Sequence, residues 1–276
     1  MISAKHVATE RRSLDVVISL LPEAERAARV LLSRIERIAP SRRDAAVVDV
    51  GASQGLFVIA CARMGYRAVG IEPWAGARRM AHEVAERFGV SIEMLDGVAE
   101  SLPLASESVD LVRANSVIEH VVDAKAAFAE AYRVLRPGGV FWFFTASSLC
   151  PRQGEIRRFP GFGWYSDALK RRIMQWAYKH HPELIGHTAF PAMHWFTPGK
   201  ARRMLRAAGF SEIYDRWDLR LSAEGGRFYR LLLRVIRCSP FTKVLADVAI
   251  PSCSYAAVKS SANAIETARS IDWPRR

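Results

Sequence analysis

The nine residues Val47-Val48-Asp49-Val50-Gly51-Ala52-Ser53-Gln54-Gly55 constrain this chain most, because a β-branched run carrying an acidic residue opens directly into a glycine turn and then a helical pattern. Glycine lets the backbone take left-handed conformations and approach a ligand closely. The helix that begins near Gln54 offers unpaired N–H groups and the positive end of its dipole. A strand–turn–helix junction with these properties is a seat for a nucleotide cofactor. The dinucleotide fingerprint Gly-x-Gly-x-x-Gly, started at Gly51, needs glycine at 53 and 56, but the chain has Ser53 and Leu56. A nicotinamide or flavin site is therefore disfavoured.

Apolar periodicity carries the junction into a regular alternation. Two helical segments, 13–21 and 23–39, come first, with Pro22 near the start of the second and Pro40 ending it. Strands at 46–50, 67–71, 91–95, 109–114 and 139–145 then alternate with helices at 54–64, 74–88 and 123–135. This order predicts an α/β fold with a doubly wound, mostly parallel sheet that binds ligands at the carboxyl ends of its strands. A helix over 198–208 closed by Gly209 follows, then a sixth strand at 212–219 and a seventh at 254–259. Four regions result: a helical cap (1–43), the cofactor-binding core (44–146), an irregular lid (147–197), and a segment (198–276) that completes the sheet around a second insertion, 221–252.

The spacing Asp49-x-Gly51-x-Ser53-x-Gly55 resembles motif I of class I S-adenosylmethionine (SAM) dependent methyltransferases, Asp-x-Gly-x-Gly-x-Gly, with Ser53 in place of the middle glycine. Further landmarks fall in the order that family predicts. Glu72 ends the second strand, where the family's acidic residue grips the ribose hydroxyls, and Asp96-Gly97 end the third, beside the adenine amino group. Leu135-Arg136-Pro137-Gly138-Gly139 matches the turn before the fifth strand, and Asp110-Leu111-Val112 with the segment 115–121 is similar to the fourth strand and its loop in the small-molecule, type 11-like branch. The resemblance spans residues 44–145. It implies a Rossmann-like seven-stranded sheet with an antiparallel last strand and insertions after strands 5 and 6. It also implies SAM as cofactor, bound by Asp49, Gly51, Ser53, Gly55, Glu72, Asp96, Gly97, Asn115 and Ser116.

Charge divides the chain sharply. Residues 1–149 hold 18 Lys+Arg against 18 Asp+Glu, whereas residues 150–276 hold 22 against 10, so the whole formal charge of +12 lies downstream of the cofactor core. That excess reads either as a solvated basic face or as a surface for an anionic substrate, a membrane or nucleic acid. Apolar runs such as 140–146 are strand-length, far below the roughly 20 residues a bilayer-spanning helix needs. The first twenty residues carry charges throughout and do not read as a signal peptide. Four widely spaced cysteines, Cys61, Cys150, Cys238 and Cys253, form neither a metal nor a redox pattern. A cytoplasmic location, with peripheral membrane contact, is the expectation.

Methyl transfer from a sulfonium is an in-line displacement, in which the protein mainly aligns the reactants and excludes water. An alcohol acceptor also needs to lose its proton, a task for a histidine titrating near neutrality. His120, just beyond the fourth strand, is one candidate base; His187 and His194, in the lid, are the others. Each could instead bond locally to shape its loop. His180, His181, His187 and His194 match no defined metal spacing, and no metal is expected. The lid aromatics, among them Trp164, Trp176, Phe190 and Trp195, either pack the lid or line the acceptor site.

In 227–237, Arg227, Arg230, Arg234 and Arg237 share one side of a helical wheel while the opposite arc is apolar. Such a helix lies on an anionic membrane or covers a lipid-carrying substrate; alternatively it buries Leu231, Leu232 and Val235 on the sheet. The sequence as a whole reads as a methyltransferase for a small-molecule, glycan or lipid-linked acceptor, acting at oxygen. The alternatives are an RNA methyltransferase using the basic half, although 115–121 lacks the Asn/Asp-Pro-Pro-Tyr/Phe motif of nucleic-acid amino-methyltransferases, and a non-catalytic ligand-binding protein on the same fold.

Overall fold

The computed structural model describes residues 13–40, 45–185, 190–221 and 224–260. Two helices come first, α1 (Leu14–Ser19), whose N-terminus is capped by the Ser13 hydroxyl, and α2 (Leu21–Glu36). The core follows as β1 (Ala46–Val50), α3 (Leu56–Arg63), β2 (Arg67–Ile71), α4 (Ala75–Arg87), β3 (Glu93–Leu95), β4 (Val109–Asn115), α5 (Ala124–Val134) and β5 (Leu135–Ala146). The remainder adds α6 (Asp167–His180), α7 (Pro198–Ala207), β6 (Glu212–Asp215), α8 (Arg216–Leu219), α9 (Arg227–Arg237), α10 (Pro240–Val248) and β7 (Ser252–Val258).

Seven strands form one sheet in the order β3-β2-β1-β4-β5-β7-β6. All run parallel except β7, which is antiparallel to both β5 and β6. The order reverses between β1 and β4, so the crevice at their carboxyl ends is the topological switch point where doubly wound sheets bind ligands. Strand alternation supplies a core on each face. Val48, Val50 and Val112 point with Phe128, Phe141, Phe143 and Tyr255 into one layer, and Val47, Leu111 and Val140 meet Leu31, Leu32 and Ile35 of α2 and Phe57 of α3 in the other.

Three expectations change. The sixth strand stops at Asp215, because its carboxylate accepts from the Trp217 and Asp218 N–H groups while Asp218 accepts from the Asp215 N–H. This capping box turns 216–219 into α8. The segment 147–197 is less irregular than expected: the Ser166 hydroxyl caps α6, whose Met174 and Ala177 pack with Phe162, Ile185 and Trp195 into a core of their own. In α9, finally, Leu233 and Ile236 are the residues buried, against Trp217, while Leu231, Leu232 and Val235 face solvent. Among the described residues, no helix is long and apolar enough to cross a membrane.

Candidate active site

The turn after β1 has the conformation its glycines foretold. Gly51 (φ +68°) and Gly55 (φ +70°) are left-handed, and a Cβ on Gly51 would fall 2.4 Å from Val117 Cγ2, in the loop after β4. Ser53 also takes a positive φ of 49°, an uncommon conformation for a residue with a side chain. The Gly51 and Ala52 N–H groups donate to the Ile71 carbonyl at 2.8 and 3.1 Å, tying the turn to the end of β2.

Glu72 braces the turn from that side. One carboxylate oxygen accepts from the Ser53 N–H (2.9 Å) and the other from the Trp74 N–H (3.1 Å). Burial pushes its pKa upward, opposed by these two hydrogen bonds and by Arg78. Each oxygen has spent one acceptor site on the protein and keeps another for a ligand hydroxyl. Arg78 links the neighbouring strand ends, donating to the Glu72 carbonyl and to Asp96 Oδ1 (3.2 Å). Asp96 is itself largely exposed. Asn115 and Ser116, the latter at φ +56°, end β4 in solvent-exposed positions beside this crevice.

Asp49 is placed differently. Its buried carboxylate pairs with Arg113 on β4, whose guanidinium lies 4.1 Å over the Phe57 ring. Burial raises its pKa, and Arg113 counters the shift. Asp49 therefore fixes β1 to β4 beneath the turn, and its side chain is committed there.

The histidines separate in the same way. His120 Nε2 lies 4.0 Å from Glu119 Oε1, and its buried Nδ1 has no hydrogen-bond partner among the described residues. Burial lowers its pKa to about 4, against the upward pull of the Pro191 and Phe190 carbonyls. His194 Nε2 is bonded to the Val121 carbonyl at 3.0 Å, and burial followed by Lys200 lowers its pKa. His187 lies outside the described residues.

Sequence reasoning passed over Glu119, although it stands inside the 115–121 segment. Its buried carboxylate accepts from Thr145 Oγ1 (2.7 Å), and burial raises its pKa to about 7 against that hydrogen bond. The Met193 and His194 N–H groups donate to its carbonyl at 2.6 and 3.1 Å, so the end of the lid is strapped across the loop after β4. Glu155, half-buried in the lid segment, reinforces the rise in Glu119 and has its own pKa raised by burial of its carboxylate. Lys170 of α6 is buried too, with Nζ 5.0 Å from the Trp195 ring centroid and 3.4 Å from Asp167. Acidic and cationic side chains thus come together within and against the segment 147–197, a pattern visible only once that segment is folded.

A cavity of about 520 Å³ opens at the opposite, amino-terminal edge of the sheet. Its charged lining includes Asp110 and Arg136, which are joined by a 2.7 Å ion pair, and it stands apart from the residues just described.

The sheet order and the braced glycine turn define a doubly wound methyltransferase fold with its ligand crevice at β1 and β4. Residues 48–143 match the family model described as a methyltransferase domain. The chain is 36% identical over 99 residues to the ubiquinone biosynthesis O-methyltransferase of Methylobacterium sp. (strain 4-46), covering 36% of this chain and 40% of that one. The protein of the same name from Azorhizobium caulinodans is 35% identical over 94 residues, 34% and 37% of the two chains. The chain thus spans about two-fifths of the length of these relatives. Among solved structures, a SAM-dependent methyltransferase from Mesorhizobium loti superposes with a TM-score of 0.55 at 16% identity, over 83% of this chain and 98% of that one. Phosphoethanolamine N-methyltransferase 2 from Haemonchus contortus, crystallised with SAM, reaches 0.53 at 17% identity, over 83% and 52%. At such identities these two speak for the fold alone.

Proposed function

We propose that this chain transfers a methyl group from SAM to a hydroxyl oxygen of a small-molecule acceptor, free, glycan-bound or lipid-linked. The observation that carries the reading is the brace of Ser53 N–H, Glu72 carboxylate and Trp74 N–H around a left-handed glycine turn at the switch point of the sheet. In this reading Glu72 holds the ribose hydroxyls with its remaining acceptor sites, Asp96 and Gly97 receive the adenine end, and Asn115 and Ser116 close the crevice. Bound there, SAM supplies an electrophilic methyl group on a cationic sulfur. The O-methyltransferase relatives favour oxygen as the acceptor atom.

The chain's own contribution to the chemistry is alignment, exclusion of water and a place for one proton. His120, held neutral at pH 7 by its burial, is the candidate that takes the proton of an acceptor hydroxyl. The imidazolium so formed faces Glu119 across 4.0 Å, and the carboxylate then offsets a charge that the buried ring alone could not hold. His194, engaged with Val121, holds the lid strap in place. His187 remains a candidate base from its position in the lid sequence. The apolar residues that 227–237 turns to solvent fit a peripheral membrane contact and a lipid-linked acceptor.

Incubation with methyl-labelled SAM and a host cell extract tests the proposal through the mass and solubility class of the labelled product. Label in a small molecule or lipid, reduced roughly 100-fold or more in His120→Gln, is the expected result. Label in RNA alone would favour the RNA methyltransferase, and SAM binding without any labelled product would favour the non-catalytic reading.

A further inference from the structure

The insertion between β6 and β7 leaves and rejoins the sheet at its carboxyl edge, through Asp215 and Ser252, and contains the helical hairpin α9–α10. Helix α9 has three sides. Leu233 and Ile236 face the protein and pack on Trp217. Phe228, Leu231, Leu232 and Val235, spaced i, i+3, i+4 and i+7, face solvent, and Phe228 is 79% exposed. Arg227, Arg230 and Arg234 form the third side, all exposed and without an ion-pair partner among the described residues. Helix α10 repeats the outward apolar face with Phe241, Val244 and Leu245.

The hairpin is firmly seated despite this exposure. Arg237 donates to the Trp217 and Arg220 carbonyls, Lys243 bridges Asp215 and Asp218, and the Trp217 indole N–H donates to the buried Asp247 at 2.9 Å. The outward apolar residues are therefore presented by a fixed element. They are not core residues that missed their partners.

We propose that the α9–α10 hairpin docks this protein on an anionic phospholipid surface, with the outward apolar side chains entering the headgroup boundary and Arg227, Arg230 and Arg234 meeting lipid phosphates. Charge selects the occupant. No Asp or Glu lies between Glu224 and Asp247, while Arg227, Arg230, Arg234, Arg237 and Lys243 all do. A second copy would bring the same uncompensated cations against the first, whereas an anionic bilayer attracts them and accepts the apolar side. Seven outward apolar side chains exceed what RNA recognition by phosphate contacts requires. Docking goes beyond methyl transfer and does not depend on it.

The test is co-flotation of the full chain with vesicles of phosphatidylcholine alone and with phosphatidylglycerol added. The parent is expected to float with the anionic vesicles and to stay behind with the neutral ones. Leu231→Ser with Val235→Ser, and separately Arg230→Glu with Arg234→Glu, should each weaken flotation roughly tenfold or more, while Arg26→Glu with Arg79→Glu, exposed charges elsewhere, should float as the parent does. SAM affinity, measured on every variant, reports that the core is folded. An environment-sensitive dye on Cys238, exposed at the hairpin turn while Cys61, Cys150 and Cys253 are buried, should shift to the blue on the anionic vesicles. Equal flotation of parent and hairpin variants, no flotation of the parent, or self-association that the Leu231 and Val235 changes abolish without any vesicle binding would each overturn the proposal.

Discussion

The two halves of this molecule solve opposite problems. Residues 1–149 carry balanced charge, bury most of the apolar residues of their strands and leave a crevice built from backbone turns and one braced carboxylate. The later half carries the entire charge excess, buries Lys170 and half-buries Glu155, and turns seven large apolar side chains of the hairpin outward. A cofactor shared by a family can be held by positions that sequence spacing specifies. An acceptor and a surface particular to one chain are met by side chains whose neighbours come from distant segments, and there local pattern says less.

Substitutions that separate the halves sharpen this contrast. The largest effect is expected at Gly51→Ala, where a side chain meets both an unfavourable φ and Val117 at 2.4 Å. The left-handed conformation alone costs about 1–2 kcal/mol, and displacement of the loop after β4 should weaken SAM binding by roughly 100-fold, read by calorimetry. If SAM affinity is unchanged, the turn is not the seat.

Next comes Leu233→Ala in α9, expected to cost about 2–4 kcal/mol in urea unfolding because it empties a buried site on Trp217. Leu231→Ser, two positions away, should change stability by less than about 0.5 kcal/mol because its side chain already faces water. Similar losses at both positions would show that the hairpin packs on something in solution.

Glu119→Gln follows, as a pH effect. Folding raises this carboxyl from its ordinary value near 4.5 to about 7. Between those values the folded protein keeps a proton that the unfolded chain has released, so Glu119 makes stability fall as pH rises through that window and level off above it. The glutamine variant keeps an acceptor for Thr145 and loses the slope, gaining up to roughly 3 kcal/mol over the parent at pH 8 and little at pH 4.5. Methyl transfer by the same variant should fall if Glu119 offsets the imidazolium of His120. Parallel pH-stability curves would mean that the carboxylate is already ionised and solvated in the folded state.

The legible parts of this chain are those whose cause is local. A β-branched run beside glycines dictated β1 and its turn, and five strands with their helices followed from period alone. Strand 212–219 was misread past Asp215 because a capping box competes with strand pairing through side-chain hydrogen bonds that period does not register. Helix α6 was missed although Ser166 caps it, since the surrounding aromatics and histidines break its apolar rhythm. Glu119 escaped notice because its pKa is raised by burial, reinforced by Glu155, 36 positions away in the chain, and only partly offset by the hydrogen bond from Thr145 on β5. Asp49 fits motif I, yet its carboxylate is taken by Arg113, a partner on β4 that the motif cannot name. The amphipathic character of 227–237 was plain, whereas which of its apolar residues face inward depended on where Trp217 lies.

The account rests on the turn at 51–55 and Glu72 forming one SAM seat. Calorimetric titration of SAM into the parent and into Glu72→Ala tests it, with NAD as the control ligand. Saturable binding of SAM and not of NAD is predicted, with affinity at least tenfold lower in the variant while its unfolding remains cooperative. Failure of the parent to bind SAM at high micromolar concentration, or equal affinity in parent and variant, would contradict it.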